Sequence, residues 1–328
     1  VRFLGAKPAK CDGNASPNDP DCHAKGIVVE SGGTLLAHGS KGVRPKGGVP
    51  WTRLSLPAGP EAFGPDSGAK APVTVSGKLF LADDVSKDWK DGDWVVVGTT
   101  SFAPYDSEFL RIQGTPAKGT SGSFVPLDPA TAPVHYHFGG PAPTPGPDGF
   151  LDGAATNFGV EERAEVGLVS RNVKLTADVP DDPQSLHWGG EIHIHPGFGQ
   201  VELRGVEIEK FGKDQLGSYP IHFHMVGKPD RLPVVDSNSI HHSYNKCIVL
   251  HSSDGITISN NVCARIVSHI FYLEVGDEEN NRFEGNLGLG AMHNDFPKFV
   301  SRTWNDAAKT CLPNAGDPPA PPTAQAVN

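Results

Sequence analysis

Glu191-Ile-His-Ile-His195, Pro220-Ile-His-Phe-His224, Cys247-Ile-Val-Leu-His251 and Ile270-Phe-Tyr-Leu-Glu274 are four short alternations of apolar and polar residues. Each has the two-residue period of a β-strand, in which successive side chains point to opposite faces. Placed in register, Ile192, Ile194, Ile221, Phe223, Ile248, Leu250, Phe271 and Leu273 share one face. The other face carries His193, His195, His222, His224, Val249, His251, Tyr272 and Glu274. Stacked as successive rungs, its outer column reads His195, His224, His251, Glu274, at the ~4.8 Å spacing of neighbouring strands. Imidazoles and a carboxylate at that pitch can share a metal ion or a substrate.

The spacing of the column points to the architecture. Its members recur 29, 27 and 23 residues apart, from 195 to 224, 224 to 251 and 251 to 274. Segments such as Gly255-Ile-Thr-Ile-Ser-Asn-Asn-Val262 and Asn281-Arg-Phe-Glu-Gly-Asn-Leu287 alternate towards a core and then turn on Asn or Gly. A β-rich repeat of this length predicts a parallel β-helix, one strand set per coil. Asn suits the corners because it tolerates left-handed backbone and can stack as a hydrogen-bonded ladder.

The rest of the chain is also read as β. Its 328 residues include 39 Gly and 30 Pro with only 20% charged residues, which favours turns and short strands over long helices. Gly26-Ile-Val-Val-Glu30, Thr34-Leu-Leu-Ala-His38, Trp51-Thr-Arg-Leu-Ser-Leu56, Lys78-Leu-Phe-Leu-Ala82, Trp94-Val-Val-Val97 and Phe109-Leu-Arg-Ile-Gln113 all have strand character. The expected organisation is a Gly-rich β domain over 1–125, a Gly/Pro-rich loop over 126–160, the β-helix over 161–305 and a C-terminal tail over 306–328.

Composition also narrows the function classes. A net charge of −10 without a basic block argues against a nucleic-acid partner. No apolar run approaches the ~18 residues of a membrane span. Nucleophile elbow, P-loop and dinucleotide fingerprints are missing. Of five cysteines, Cys11 and Cys22 bracket a polar loop that a disulfide would tie. An exported protein is expected.

Seven of the 14 histidines lie between His193 and His251, and five of those seven fall on the outward face. Neutral imidazole is a common ligand for divalent metals, and three His with a carboxylate or water form a plausible catalytic sphere. His222, His224, His251 and His193 are therefore candidate metal ligands, with the ion Zn, Ni, Cu or Ca. Glu274 and His195 are candidate catalytic groups, Glu274 as ligand or general acid/base. The alternative is a set of structural histidines hydrogen-bonded across a sheet. Arg163, Arg171 and Arg204 are candidate clamps for a substrate carboxylate, since guanidinium binds carboxylate in a bidentate manner. His137 is a candidate to approach the site from the adjoining loop, and Glu191 lies on the outward phase beside it. Adjacent His241 and His242 point to opposite faces of a strand, and His269 lies on the inward phase.

Leu216-Gly-Ser-Tyr-Pro-Ile-His-Phe-His224 resembles the LGxYPIHFH signature of the cell-surface and secreted hyaluronidase family related to the cell-migration-inducing hyaluronan-binding protein. The resemblance extends to Arg163-Ala-Glu-Val-Gly-Leu-Val-Ser-Arg-Asn172, Ser239-Ile-His-His242, Val249-Leu-His251 and His269-Ile-Phe-Tyr-Leu-Glu274. Gly92-Asp-Trp-Val-Val-Val-Gly98 resembles the end of the family's eight-glycine domain. The resemblance implies an all-β protein, a right-handed parallel β-helix preceded by that Gly-rich domain. It implies an extracellular, glycan-directed role: depolymerising or binding an acidic polysaccharide, hyaluronan above all, by hydrolysis or elimination. Two positions depart from the family pattern, where His is replaced by Glu191 and Arg by Ser218. The larger animal members carry further domains, and this chain resembles a minimal, bacterial-like version.

Overall fold

The computed structural model describes residues 1–4, 25–59, 77–140, 161–179, 188–213 and 215–292, with the backbone of 144–145, 151–152, 302–305 and 310–313. Its regular structure is β, apart from one-turn 3-10 segments at Arg44–Lys46, Pro104–Asp106 and Pro129–Thr131. The expected Cys11–Cys22 pairing lies outside the described residues. Cys247 and Cys263 form a disulfide inside the core.

Three parallel sheets form the β-helix, and the chain visits them in rotation. Val173–Ala177, Glu191–Ile194 and Gln200–Arg204 make one coil, and Val206–Glu209, Ile221–Gly227 and Val234–Asp236 the next. Ser239–Ser243, Ile248–Ser253 and Thr257–Ser259 follow, then Val262–Val267, Phe271–Leu273 and Arg282–Glu284. The middle members stack into one sheet, with His193 opposite His222, His224 opposite His251 and Leu250 opposite Leu273. The register expected from the alternations is the register observed.

Burial explains why that register holds. Ile192, Ile194, Ile221, Phe223, Ile248 and Leu250 are fully buried in one core cluster. Each buried apolar side chain of this size contributes roughly 1.5–3 kcal/mol, and a one-residue slip would turn the whole set outwards. The column thins at the last rung, where Leu273 is 43% exposed.

The corners are built as the sequence suggests. Gly205, Ser237, Asn260 and Gly285 all adopt left-handed backbone, with φ of 62, 58, 56 and 62°. Behind them the amides of Asn238, Asn261 and Asn286 form a ladder. Asn238 Nδ2 donates to Asn261 Oδ1 at 3.0 Å, and Asn261 Nδ2 donates to Asn286 Oδ1 at 3.0 Å. Asn261 Oδ1 also accepts from the Asn238 backbone N–H, and Asn261 Nδ2 also donates to the Val235 carbonyl, so one buried side chain satisfies groups on neighbouring coils.

Strand pairing crosses the boundaries expected between the domains. Gly26–Val29 and Thr34–His38 pair in parallel with Glu191–Ile194 and Gln200–Arg204, and Arg2–Phe3 pairs with Val173–Ala177. These N-terminal strands are the first coil of the β-helix. The antiparallel unit follows them in the chain, between the first and second coils. It pairs Trp51–Arg53, Glu165–Leu168, Trp94–Val97 and Glu108–Arg111 in that order, beside a smaller sheet of Lys78–Leu81, Ser123–Pro126 and Ala117–Lys118. Its Val96 and Val169 pack against Val262, Ala264, Leu287 and Leu289 and so cover part of one β-helix sheet. Thr310–Pro313, in the expected tail, pairs antiparallel with Arg302–Asn305, at the end of the expected β-helix.

Removing the Asn261 amide strands at least one buried donor and one buried acceptor, each worth roughly 1–3 kcal/mol. Asn261→Ala is expected to lower the urea midpoint of unfolding without changing the m-value. An unchanged midpoint would contradict the ladder's role.

Candidate metal centre

Parallel stacking brings the predicted histidines together. The rings of His193 and His222 stack at 4.6 Å with an interplanar angle of 19°, and those of His222 and His251 lie near-parallel at 6.2 Å. His224 meets His193, His222 and His251 edge-on at 5.0, 5.1 and 5.0 Å, and His195 lies 5.8 Å from His224. The outward face is deep rather than flat. His193 and His222 are buried at 3% and 1% exposure, whereas His195, His224, His251 and Glu274 are partly open. The segment 210–220 supplies part of the cover, with the Tyr219 ring 4.8 Å from His222.

His222 is the pivot. Its Nδ1 lies 2.7 Å from the Gly217 carbonyl, an acceptor only, so Nδ1 carries the proton. The Nε2 lone pair is left pointing inwards, buried and without a hydrogen-bond partner, 3.7 Å from Glu274 Oε2. Glu274 Oε2 is likewise unpartnered and lies 3.9 Å from His251 Nδ1. The other carboxylate oxygen, Oε1, accepts from the Tyr219 hydroxyl at 3.1 Å. A backbone carbonyl fixing the tautomer of one ligand and a hydroxyl fixing the orientation of another is the supporting arrangement that metal ligands need. These residues fit a divalent cation.

The donor atoms form two overlapping trios, each within 4.8 Å: His222, His251 and Glu274, and His193, His222 and His224. The expected set His222, His224 and His251 is thus divided, with His222 common to both halves. His195 turns Nδ1 to Glu30 Oε2 at 3.2 Å, and its Nε2 is buried without a hydrogen-bond partner.

Electrostatics agree with this geometry. Burial, followed by the neighbouring imidazoles of His224, His251 and His195, pushes the His222 pKa well below its usual value, against the Gly217 carbonyl. Burial and then Glu274 push the Tyr219 phenol up. At neutral pH the face therefore presents a neutral imidazole and a neutral phenol.

The expected carboxylate clamps do not join this cluster. Arg163 makes a bidentate pair with Glu161 at 2.7 Å through both Nε and Nη2. Arg171 is buried and donates to the carbonyls of Leu168, Ser170 and Ser237, and burial lowers its pKa to about 10. Arg204 lies on a different sheet and faces Asp236 at 3.4 Å. His137 is fully buried, bridging the Gly98 carbonyl and Glu108 Oε2 at 2.8 Å each inside the antiparallel unit. Glu191 is buried in an ion pair with Lys213 at 2.8 Å. His241 and His242 meet through their Nδ1 atoms at 2.8 Å beside Glu207 and Glu209, on another sheet.

Sequence reasoning missed Glu30, Tyr219 and Lys246. Glu30 ends an alternation whose register places it beside His195. Lys246 Nζ lies 5.0 Å from the Tyr219 ring and 5.1 Å from the Tyr272 ring, an arrangement without a spacing signature.

Comparison with known proteins agrees with the fold. Residues 187–320 match the family model described as the CEMIP beta-helix. The chain belongs to this family. It is 33% identical over 238 residues to the human cell surface hyaluronidase CEMIP2, covering 68% of this chain and 16% of that protein. It is 33% identical over 228 residues to the mouse cell migration-inducing and hyaluronan-binding protein, covering 64% and 15%. A G8 domain-containing protein of Dictyostelium discoideum is 27% identical over 267 residues, 81% of this chain and 15% of its own length. The chain thus spans a small part of the length of the relatives it matches. Among the described residues no helix is long and apolar enough to cross a membrane.

Linkage gives a test of the buried imidazoles. A histidine whose folded pKa is depressed leaves the unfolded chain binding more protons below about pH 6.5, so stability falls as pH drops through that value. His222 is one such group, and His242, which burial and His241 push down to about 3, is another. Between pH 7.5 and 5.5, above the carboxylate range, metal-free protein is expected to lose stability. His222→Asn and His242→Asn should each flatten that slope in urea titrations. A wild-type profile that is level over this window would contradict the assignment.

Proposed function

We propose that this chain is the metal-assisted, polysaccharide-cleaving part of an extracellular protein, acting on an acidic polymer with hyaluronan or a related glycosaminoglycan foremost. The observation that carries the reading is the buried, unpartnered Nε2 of His222 facing an equally unpartnered Glu274 oxygen. The names of the hyaluronidase and hyaluronan-binding relatives support the substrate class. A disulfide within the β-helix supports an oxidising compartment.

In this reading His222, His251 and Glu274 hold the ion, with His251 and Glu274 partly exposed towards substrate. When bound, the cation supplies Lewis-acid polarisation and acidifies a bound water. Tyr219 holds Glu274 in place through its 3.1 Å hydrogen bond. His195, oriented by Glu30, has Nε2 available to take or give a proton. His224, from the other trio, packs edge-on against His222 and His251.

A second reading has its own observation. The trio of His193, His222 and His224 contains the two most enclosed rings, and closed sites are typical of structural ions. A glycan-binding module without turnover would then result.

Metal analysis of the purified protein, paired with hyaluronan sizing before and after chelator treatment, separates the two. The enzyme reading expects bound metal, shortening of the polymer and loss of cleavage on chelation. His251→Ala and Glu274→Gln are expected to lower the rate ~10–100-fold or more, the lower range being that for loss of a ligand's support alone. Bound metal without shortening favours the binding module. Protein without metal and polymer without shortening overturn both metal-based readings. Ultraviolet absorbance from an unsaturated product would mark elimination, and its absence with cleavage would mark hydrolysis.

A further inference from the structure

Lys246 stands beside the His222–His251–Glu274 trio without an ion pair among the described residues. It immediately precedes Cys247, at the start of the strand that carries His251. Its ammonium sits between two aromatic rings, 5.0 Å from Tyr219 and 5.1 Å from Tyr272. Both rings belong to the site. Tyr219 touches His222 and donates to Glu274, and Tyr272 lies in the same cross-strand row as Val249 and His222. Among the described residues the ammonium makes neither a hydrogen bond nor an ion pair, and Glu274 acts on it only through its field. Ring faces offset part of the cost of burying a cation, by roughly 0.5–2 kcal/mol, and leave its three N–H donors unused. A half-buried cation with free donors at the edge of a catalytic cleft is complementary to an anionic group on the substrate.

We propose that Lys246 is the subsite for a sugar carboxylate and sets an acidic sugar against the trio. It takes the place that Arg163, Arg171 and Arg204 do not fill. As an ammonium it recognises carboxylate as a point charge rather than through a bidentate fork. Burial lowers its pKa, against the pull of Glu274. The inference deepens the proposed function, because carboxylate recognition defines the substrate as a uronate-containing polymer.

Two readouts test it independently. The first is amine acylation followed by mass spectrometry, comparing Lys246 in protein alone, with D-glucuronate up to its solubility and with D-glucose. Slower acylation with glucuronate but not glucose is expected, and equal rates in all three overturn the subsite whether or not the protein cleaves hyaluronan. The second is kinetic. Lys246→Met is expected to raise KM for hyaluronan ~10–100-fold, the range for losing one charge-assisted contact, with kcat within a few-fold of the wild type. Lys246→Arg should recover part of that loss, and carboxyl-reduced hyaluronan should not distinguish Lys246→Met from wild type. A fall in kcat with unchanged KM would overturn the subsite and make Lys246 a support for Glu274. Absence of cleavage by the wild-type protein would overturn the proposed function alone, leaving the acylation result to decide the subsite.

Discussion

Parallel in-register stacking is the constraint from which the rest follows. It places equivalent residues of successive coils one strand apart, so an outward His repeated from coil to coil becomes a wall of imidazoles. Here neighbouring rings lie 4.6–6.2 Å apart. Protonated rings at such distances repel, and burial removes the water that would screen them. The neutral state of His222 follows from burial first and from that crowding second, and its free Nε2 lone pair follows from the Nδ1 hydrogen bond to the Gly217 carbonyl. A cation shared among these rings would offset the cost of collecting them.

The three sheets have different outer faces. One is covered in part by the antiparallel unit, whose valines meet Val262 and Leu287. Another carries surface polar contacts, such as His38 with Glu202 at 2.9 Å and the Arg231–Glu202 ion pair. The third carries the histidines beneath the segment that contains Tyr219. The candidate site lies on this third sheet, where His193 and His222 are buried and His195, His224, His251 and Glu274 are partly exposed. The Asn ladder and the left-handed corner residues hold the pitch that keeps the three faces aligned.

Much of this was legible in the residues. Strict alternation fixed which side chains face the core, and the recurring separations indicated coils rather than hairpins. The inward Ile192, Ile221 and Ile248 and the outward His193, His222 and His224 lie where a two-residue period puts them. The parts that were not legible are long-range. Gly26–Val29 joins the histidine sheet beside Glu191–Ile194, across the whole antiparallel unit, so Glu30 could not be matched to His195 from spacing. The arginines carry no periodicity that says whether a guanidinium faces substrate or caps a backbone corner. Arg171 does the second. Lys246 was invisible because a cation between ring faces depends on a loop conformation rather than on a strand period.

The central claim is that His222 anchors a divalent ion on this face. Anomalous diffraction from crystals grown with zinc, nickel or copper, each recorded at that metal's absorption edge, addresses it directly. The account predicts a peak bonded to His222 with His251 and Glu274 as its companions. Maps without a peak near His222 for all three metals, or a peak only at Glu209, His241 and His242, would contradict it.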